Sequence, residues 1–246
     1  MSTPASQIRA YYEALYSAWG PQHWWPAHSR FEVILGAYLT QNTSWKNVEL
    51  ALRRLRTARV LSLPGIRQIS VTRLESLIRP AGYFRQKTAR LKTFVHFVDR
   101  KYGGSLNRMF AQATPGLRDE LLALNGVGPE TADSILLYAG QHPVFVVDAY
   151  TRRILQRHHL VAANTPYEEV RELCEQALNN MSPASATTEI RKPDFAHPPS
   201  RMSRAERSPA VQVYNDMHGL LVNVGKYYCL KAQPHCEDCP LQKYLP

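Results

Sequence analysis

Residues 124–132 read LNGVGPETA, and this stretch decides the fold. Gly126 and Gly128 flank a single apolar residue, Val127, so the chain turns tightly between two helical segments. Pro129 suits the first position of the next helix, where a missing N–H costs nothing. Backbone N–H groups at such a turn can face a phosphate oxygen. The stretch therefore predicts a grip on a nucleic-acid backbone that does not read base sequence.

Helical periodicity extends over most of the chain. Apolar residues recur at i, i+3, i+4 and i+7 in residues 8–19, 31–41, 45–55, 86–102, 129–139, 150–158, 167–178 and 211–225. The short apolar run 144–147 is the only competing strand signal, so the sequence predicts an all-α fold. Residues 181–210 are rich in Pro, Ser, Thr and Arg, which predicts a long exposed insertion.

Composition limits the class of protein. A chain of 246 residues that is 44% hydrophobic can bury a real core. Lys and Arg number 30 against 20 Asp and Glu, and the resulting net charge of +10 favours a polyanionic partner. The sequence has no leader pattern and no run of about 18 apolar residues. We therefore expect a protein of the bacterial cytosol or nucleoid with no membrane contact.

Asp148 follows the apolar run 144–147 and precedes a predicted helix. An aspartate in this place is most often a helix N-cap. A carboxylate held at a helix N-terminus stays ionised, and beside a sugar it can stabilise an oxocarbenium-like transition state or position water. Both roles are compatible, so Asp148 is a candidate catalytic residue.

The hairpin, its glycine turn and the downstream Val147–Asp148 pair resemble the helix-hairpin-helix DNA glycosylases of the endonuclease III superfamily, from about residue 31 to residue 239. The resemblance implies two α-helical domains, residues 1–25 with 145–246 and residues 26–144, with an active-site cleft between them. It also implies that Asp148 is the catalytic carboxylate. The resemblance further implies that Gly126, Val127 and Gly128 bind a DNA phosphate.

Glu130 departs from part of this family. Bifunctional members carry a lysine at this position, and its amine forms a Schiff base that leads to strand cleavage. A carboxylate cannot form a Schiff base, so the chain resembles the monofunctional branch, which removes the base and leaves the strand uncut. Glu130 is then either a second catalytic carboxylate or an exposed acid of the first helical turn.

Tryptophans cluster near the N-terminus, at Trp24, Trp25 and Trp45, with Pro26 completing a Trp-Trp-Pro segment. Flat, electron-rich rings attract a flipped base, above all a cationic N-alkylated purine. The segment resembles the base pocket of the 3-methyladenine DNA glycosylases of endonuclease III type. Core packing is the alternative role of these rings.

Further DNA contacts follow from the resemblance. Gln41, followed by Asn42, matches the position whose side chain fills the gap left by a flipped nucleotide. Tyr83 matches a wedge that stacks on the orphaned partner base. Arg85 and Lys87 begin a basic run suited to phosphate, although a solvated helix face is equally compatible with their spacing.

The C-terminal segment contains Cys229-x6-Cys236-x2-Cys239. In the endonuclease III family this spacing begins a four-cysteine loop that ligates a [4Fe-4S] cluster. Leu245 stands at the fourth position, so the ligand set is incomplete. His235, Cys174, water or the terminal carboxylate could complete it, and zinc or no metal are the alternatives.

These observations together predict a monomeric, monofunctional glycosylase that acts on double-stranded DNA containing an alkylated purine. An endonuclease III-like bifunctional enzyme acting on oxidised pyrimidines or abasic sites is the second possibility, with Lys87 as a conceivable amine. A binding protein that recognises damaged DNA without catalysis is the third.

Overall fold

The computed structural model describes residues 3–183 and 198–246, and within them the chain forms helices and no β-strand. This confirms the predicted all-α class. The α-helices are α1 (Pro4–Trp19), α2 (Arg30–Leu39), α3 (Trp45–Thr57), α4 (Leu63–Gln68), α5 (Val71–Ile78), α6 (Phe84–Tyr102), α7 (Leu106–Phe110), α8 (Thr114–Leu122), α9 (Pro129–Ser134), α10 (Ala149–Arg157), α11 (Tyr167–Leu178) and α12 (Pro209–Tyr227). Arg79–Ala81 and Gln242–Tyr244 form 3₁₀ turns.

The chain divides into two compact units. The first, called unit 1, comprises the described parts of residues 1–26 and 141–246, and unit 2 comprises residues 27–140. Whether the two units are the domains that the resemblance implies, with a cleft between them, stays a prediction.

Unit 2 contains four short helices that periodicity did not reveal: α4, α5, α7 and α8. Each is at most nine residues long, too short for a 3.6-residue repeat to stand out. Ser62, Ser70 and Ser105 each accept a hydrogen bond from a first-turn N–H and so define where three of these helices begin. Proline at the start of α8 has the same effect.

The helix after the glycine turn is not uniform. The predicted helix 129–139 is α-helical only over α9 and continues as a π-helix over Ile135–Gly140. Residues 135–139 are all buried, and this segment packs against α2. A π-helix widens the hydrogen-bonded ring by one residue, which the spacing of apolar residues does not reveal.

Unit 1 is organised around α12, which is buried along most of its length and packs against α10. A Cβ on Gly225 would lie 2.3 Å from Cδ1 of Tyr150, so only glycine allows this close approach of the two helices. Arg153 fastens them by donating to the carbonyls of Gly225 and Cys229, both at 2.8 Å. The chain just before α10 is thereby held in place.

The apolar run 144–147 is buried and forms no strand. Its backbone donates to side chains instead: the N–H of Phe145 to Oε1 of Glu175 at 2.9 Å, and the N–H of Val147 to the hydroxyl of Tyr167 at 3.2 Å. Both acceptors lie on α11. The segment is therefore a fixed connection that leads into Asp148.

The described second part of the predicted insertion, residues 198–210, is mostly exposed, but it also packs on the fold. Residues 184–197 lie outside the described residues, but Met202 and Ser203 are buried. The hydroxyl of Ser200 donates to the carbonyl of Trp25 at 3.3 Å. Arg207 donates to the carbonyl of Ser203 at 3.1 Å, which closes this part into a compact turn. Proline content excluded helix here but did not reveal packing.

None of the helices in the described ranges combines the length and apolar character needed to cross a membrane.

Candidate active site and nucleic-acid interface

Asp148 is the N-cap of α10 in unit 1. Its Oδ1 accepts from the N–H of Thr151 at 2.7 Å, which orients the carboxylate and leaves Oδ2 turned to another partner. The side chain is 13% exposed, so a small part of the carboxylate is accessible. The predicted capping role is confirmed, and it fixes the place of this charge.

His218 is that other partner, and sequence reasoning missed it. Its Nε2 lies 3.7 Å from Oδ2 of Asp148, and the ring is packed between those of Trp24 and Phe145. Burial lowers the pKa of His218, and the negative charge of Asp148 partly opposes this shift. The carboxylate thus faces an imidazole that burial keeps neutral near pH 7.

Trp24 and Trp25 are buried in unit 1, each only 6% exposed, with ring centroids 5.9 Å apart in an edge-on arrangement. Gly219 of α12 makes room for Trp24, because a Cβ there would lie 3.0 Å from Cβ of the tryptophan. Gln22 fixes the preceding turn by accepting from Asn223 at 2.7 Å. The segment is held against α12, so both rings have a packing role.

Lys226 adds a charge that the sequence reading did not consider. Its Nζ lies 5.4 Å from the ring centroid of Trp24, within the range of a cation–π contact. A face of this indole therefore already interacts with a cation of the protein itself. Pro26, next to the tryptophans, is half-buried.

In unit 2, the glycine turn forms the predicted hairpin between α8 and α9. Gly126 has φ +79°, a conformation that favours glycine, and the N–H of Val127 closes the turn on the carbonyl of Leu124 at 3.1 Å. Val127 is buried, so its amide serves the turn, whereas Gly128 and Glu130 are exposed. The sequence placed Val127 among the phosphate contacts; its backbone N–H is instead used internally.

An ion pair joins the two helices of the hairpin. Nε of Arg118, on α8, lies 2.7 Å from Oδ1 of Asp133, and its Nη2 lies 3.1 Å from Oδ2. Asp133 is fully buried on α9. A two-pronged pair of this kind sets the orientation of the two helices as well as their distance. This ion pair therefore fixes the two helices that flank the glycine turn.

The turn after α2 contains Gln41 and Asn42. The amide of Gln41 donates to the carbonyl of Gly126 at 3.0 Å and to Oγ1 of Thr131 at 2.9 Å, so this turn is bound to the hairpin. Asn42 is exposed at φ +54°. Trp45 begins α3, is half-buried, and donates from Nε1 to Oε1 of Glu49 at 2.9 Å.

Tyr83 precedes α6 at φ +44° and is 64% exposed. A bulky residue in the left-handed region is uncommon. An exposed aromatic ring at such a position adds little to the stability of the fold. Arg85 is exposed on the first turn of α6, with its guanidinium 5.9 Å from the ring centroid of Phe84. Both residues are placed where DNA could reach them.

Lys87 requires a correction. The sequence placed it among the DNA contacts and named it as a conceivable amine for Schiff-base chemistry. The side chain is only 1% exposed, and its Nζ donates to the carbonyls of Leu39 at 2.9 Å and Ala81 at 2.7 Å. Burial lowers its pKa to about 8, with the charge of Arg90 adding to the shift. Lys87 fastens two turns and is not available to phosphate or sugar.

Cys229, Cys236 and Cys239 line one cavity, together with His235 and Leu245. Even so, no group of three or more His, Cys, Asp or Glu side chains in the described part of the chain is arranged to hold a metal ion. Cys174 is buried in α11 and is not among the residues that line this cavity. The residues present therefore fall short of a complete four-thiolate set.

Arg157 fastens the start of this cysteine loop. Its Nη1 donates to the carbonyl of Leu230 at 2.6 Å and lies 3.4 Å from Sγ of Cys229, and its Nη2 donates to the carbonyl of Lys231 at 2.8 Å. These hydrogen bonds attach the start of the loop to α10.

Comparisons with known proteins identify the family of this chain. Residues 35–180 match the family described as HhH-GPD superfamily base excision DNA repair protein. A Methanocaldococcus jannaschii protein that carries the name of a DNA repair glycosylase is 37% identical over 234 residues, covering 95% of this chain and 93% of that protein.

Two solved structures share the fold. The H. pylori 3-methyladenine DNA glycosylase bound to 1,N6-ethenoadenine has a TM-score of 0.71 and 27% identity, covering 91% of this chain and 97% of that chain. An endonuclease III–DNA complex has a TM-score of 0.72 and 21% identity, covering 100% and 96%. The chain belongs to the HhH-GPD superfamily of base excision DNA repair proteins, which confirms the resemblance predicted from its hairpin.

Proposed function

We propose that this base-excision repair glycosylase removes alkylated purines from double-stranded DNA and leaves the strand uncut. The observation that carries the proposal is Glu130, an exposed acid in the first turn of α9, where the resemblance implies a lysine in bifunctional relatives. Without an amine at this place, Schiff-base chemistry has no nucleophile. Lys87 does not replace it, because two backbone carbonyls hold its buried ammonium.

Asp148 is the catalytic carboxylate in this proposal. When the bond between the sugar and the purine breaks, its electron pair leaves with the base and positive charge develops on the sugar. Oδ1 is held by the N–H of Thr151, so the carboxylate enters the reaction already oriented. It stabilises the developing cation and positions the water that attacks the sugar. Glu130 remains a second candidate carboxylate.

Release of an alkylated purine requires neither an amine nucleophile nor a general acid. Alkylation on a ring nitrogen gives the base a positive charge, and it departs as a neutral molecule. Trp24, Trp25, Pro26 and Trp45 are the proposed base-pocket residues. The H. pylori neighbour, named as a 3-methyladenine glycosylase, supports this class of substrate.

The DNA contacts in the proposal come from unit 2. Gly126 and Gly128 bind a phosphate of the damaged strand, and Arg85 contributes a second phosphate contact. Tyr83 stacks on the orphaned base, while Gln41 and Asn42 fill the gap left by the flipped nucleotide. The exposure of Tyr83, Arg85, Asn42 and Gly128 supports these assignments. The enzyme acts as a monomer.

The cysteine loop is proposed to hold a [4Fe-4S] cluster through Cys229, Cys236 and Cys239, with a fourth ligand other than cysteine. Zinc and an empty loop are the alternatives, and Arg157 already fastens the start of the loop. No step of base removal depends on the group. Iron and zinc analysis of protein purified without air, with its visible absorption spectrum, distinguishes the three cases.

The test compares the wild-type protein with Asp148→Asn on DNA treated with a methylating agent. Asparagine also caps helices, so the variant keeps its fold while losing the negative charge. We expect release of 3-methyladenine or 7-methylguanine to fall by about a thousandfold, within the usual range for a residue that acts on the transition state. Equal release by both proteins contradicts the role of Asp148.

A second measurement separates the alternatives. Relatives named endonuclease III, such as that of Thermotoga maritima at 27% identity, favour a bifunctional enzyme as the second candidate. Borohydride traps a covalent DNA adduct only if a Schiff base forms. A trapped adduct would overturn the monofunctional proposal. Tight binding to abasic DNA with no release of any modified base would identify a non-catalytic binding protein.

A further inference from the structure

The side-chain amide of Gln41 is held on both sides. Its Nε2 donates to the carbonyl of Gly126 and to Oγ1 of Thr131, and its Oε1 accepts from Nη1 of Arg90 at 2.7 Å. Both N–H groups are used, and the oxygen faces a cation. The amide therefore has one orientation, and Arg90 holds its only acceptor atom.

Arg90 also lies directly against the glycine turn. A Cβ on Gly126 would be 2.0 Å from Nε and 2.4 Å from Cζ of Arg90, so the guanidinium occupies the space that any other residue would need. The group that holds Gln41 therefore touches the turn proposed to bind phosphate. Arg90 is half-buried, so the residue is not sealed off from solvent.

Helix α6 brings these contacts together. One turn before Arg90, Lys87 fastens the carbonyl of Leu39, two residues before Gln41, and that of Ala81, two residues before Tyr83. Helix α6 therefore holds the turn that contains Gln41 and the turn that contains Tyr83, and its Arg90 contacts the hairpin. Because α6 is 19 residues long and buried along one face, it gives stable support to these two turns and to the hairpin.

We propose that Arg90 is a positioning residue that couples phosphate binding at the hairpin to the placement of Gln41 in the duplex. A guanidinium carries five N–H donors in a planar fork, so it can bind a phosphate and an amide oxygen at the same time. When the glycine turn takes a phosphate, Arg90 donates to the phosphate oxygens while its Nη1 keeps Oε1 of Gln41. The side chain of Gln41 is then held in one position beside the orphaned base. The inference rests on the proposed gap-filling role of Gln41.

The test uses a duplex in which a tetrahydrofuran abasic analogue stands opposite 2-aminopurine. Fluorescence of 2-aminopurine reports how the orphaned base is stacked, and the analogue offers no base to excise. Binding and fluorescence are measured for the wild type, Arg90→Ala, Arg90→Lys, Gln41→Ala and the double variant Arg90→Ala/Gln41→Ala. Thermal unfolding checks that each variant folds.

We expect Arg90→Ala to weaken binding by about tenfold, the loss typical of one hydrogen bond to a charged group. It should also change the 2-aminopurine signal of the bound complex in the same direction as Gln41→Ala. The double variant should give the same fluorescence as Gln41→Ala, because Arg90 acts through Gln41. Arg90→Lys keeps the charge but has no fork, so it should recover affinity without recovering the wild-type signal.

Arg100→Ala is the matched control. Arg100 is an exposed arginine near the end of α6, so its loss removes the same charge from the same helix. It should weaken binding only in a salt-dependent way and leave the fluorescence unchanged. If Arg90→Ala behaves like Arg100→Ala, or if the fluorescence effects of Arg90→Ala and Gln41→Ala add, Arg90 is an ordinary phosphate contact and the proposal fails.

Failure of the proposed function gives a different result. If Gln41→Ala leaves the fluorescence unchanged, Gln41 does not fill the gap, and the coupling is lost with it. Release of methylated purines, measured separately, then shows whether the glycosylase assignment still holds. Should Arg90→Ala not fold, Arg90→Lys alone decides, because a wild-type signal in that variant contradicts positioning by the fork.

Discussion

The surroundings of Asp148 in unit 1 and the turns around Gln41 and Tyr83 in unit 2 are built in opposite ways. Asp148 caps α10, faces a buried His218 and lies near the point where Gly225 lets two helices approach closely. In unit 2, Tyr83 is 64% exposed and left-handed, and Asn42 is likewise exposed at positive φ. The proposed chemistry therefore depends on packing, whereas the proposed recognition depends on exposed turns that the buried Lys87 fastens from behind.

This difference leads to an expectation about mutations. Substitutions around Asp148 should alter catalysis and stability together, because the same packing serves both. Substitutions of exposed side chains on the turns around Gln41 and Tyr83 should alter DNA binding with little cost to the fold. Three variants, from the largest expected effect to the smallest, test whether the distinction holds.

The largest effect is expected for His218→Phe. Phenylalanine keeps an aromatic ring between Trp24 and Phe145 but removes the nitrogen that faces Asp148. We expect kcat for base release to fall by about tenfold to a hundredfold, as for loss of accurate placement, with KM little changed. A variant with wild-type kcat would show that His218 only fills space.

The same variant has a signature in the pH dependence of stability. The pKa of His218 is lowered in the folded protein, so its share of stability is present above the unfolded value, about 6.5, and is lost as the pH falls. His218→Phe removes that share. Urea unfolding at pH 7.5 and pH 5.5 should therefore show a smaller acid loss for the variant than for the wild type.

A middle-sized effect is expected for Gly126→Ala. Alanine is strained at φ +79°, and its Cβ would meet Arg90, so we expect the free energy of unfolding to fall by about 2 kcal/mol. DNA affinity should fall as well, because the turn and Gln41 are both displaced. Chemical unfolding and titration with an abasic duplex measure the two effects.

Gly116→Ala is its control. Gly116 lies in α8 of the same unit, and a Cβ there meets no atom within 4 Å. Alanine should be neutral or should stabilise the helix by up to about 1 kcal/mol, with unchanged DNA affinity. If the two variants lost equal affinity, the glycine turn would have no special part in binding.

The smallest effect on stability is expected for Tyr83→Ala. The ring is mostly exposed, so the free energy of unfolding should stay within about 0.5 kcal/mol of the wild type. Binding to an abasic duplex should weaken by about fivefold, the lower end of the range for loss of one base-stacking contact. If Tyr83→Ala greatly lowered the free energy of unfolding, this turn would depend on packing, as the surroundings of Asp148 do, and the contrast between the two regions would fail.

How far the sequence predicts the structure differs between these regions. The long amphipathic helices were identified to within a few residues, and α11 was placed over residues 167–178 as observed. The N-cap at Asp148 was predicted because capping depends on local chemistry. Four short helices were not, because each is too short for a 3.6-residue repeat to stand out. The π-helix at Ile135–Gly140 was not, because apolar spacing does not reveal a widened hydrogen-bonded ring.

The site shows the same limit. Glycines, Asp148 and Tyr83 could be named because each is recognised by its neighbours in sequence. His218 was missed, and Arg90 was read only as part of the basic run that Arg85 and Lys87 begin, because their partners lie 70 and 49 positions away and only folding brings them together. Lys87 was misread for a related reason: a basic run on a helix does not reveal that one of its members points inward.

That inward lysine has a consequence for alkaline conditions. With the pKa of Lys87 near 8, a moderately basic solution removes its extra proton while the protein is still folded. A neutral amine retains two N–H groups, enough to serve the carbonyls of both Leu39 and Ala81. Both hydrogen bonds can therefore persist after the charge is lost. The spacing of the two turns that Lys87 joins should persist with them.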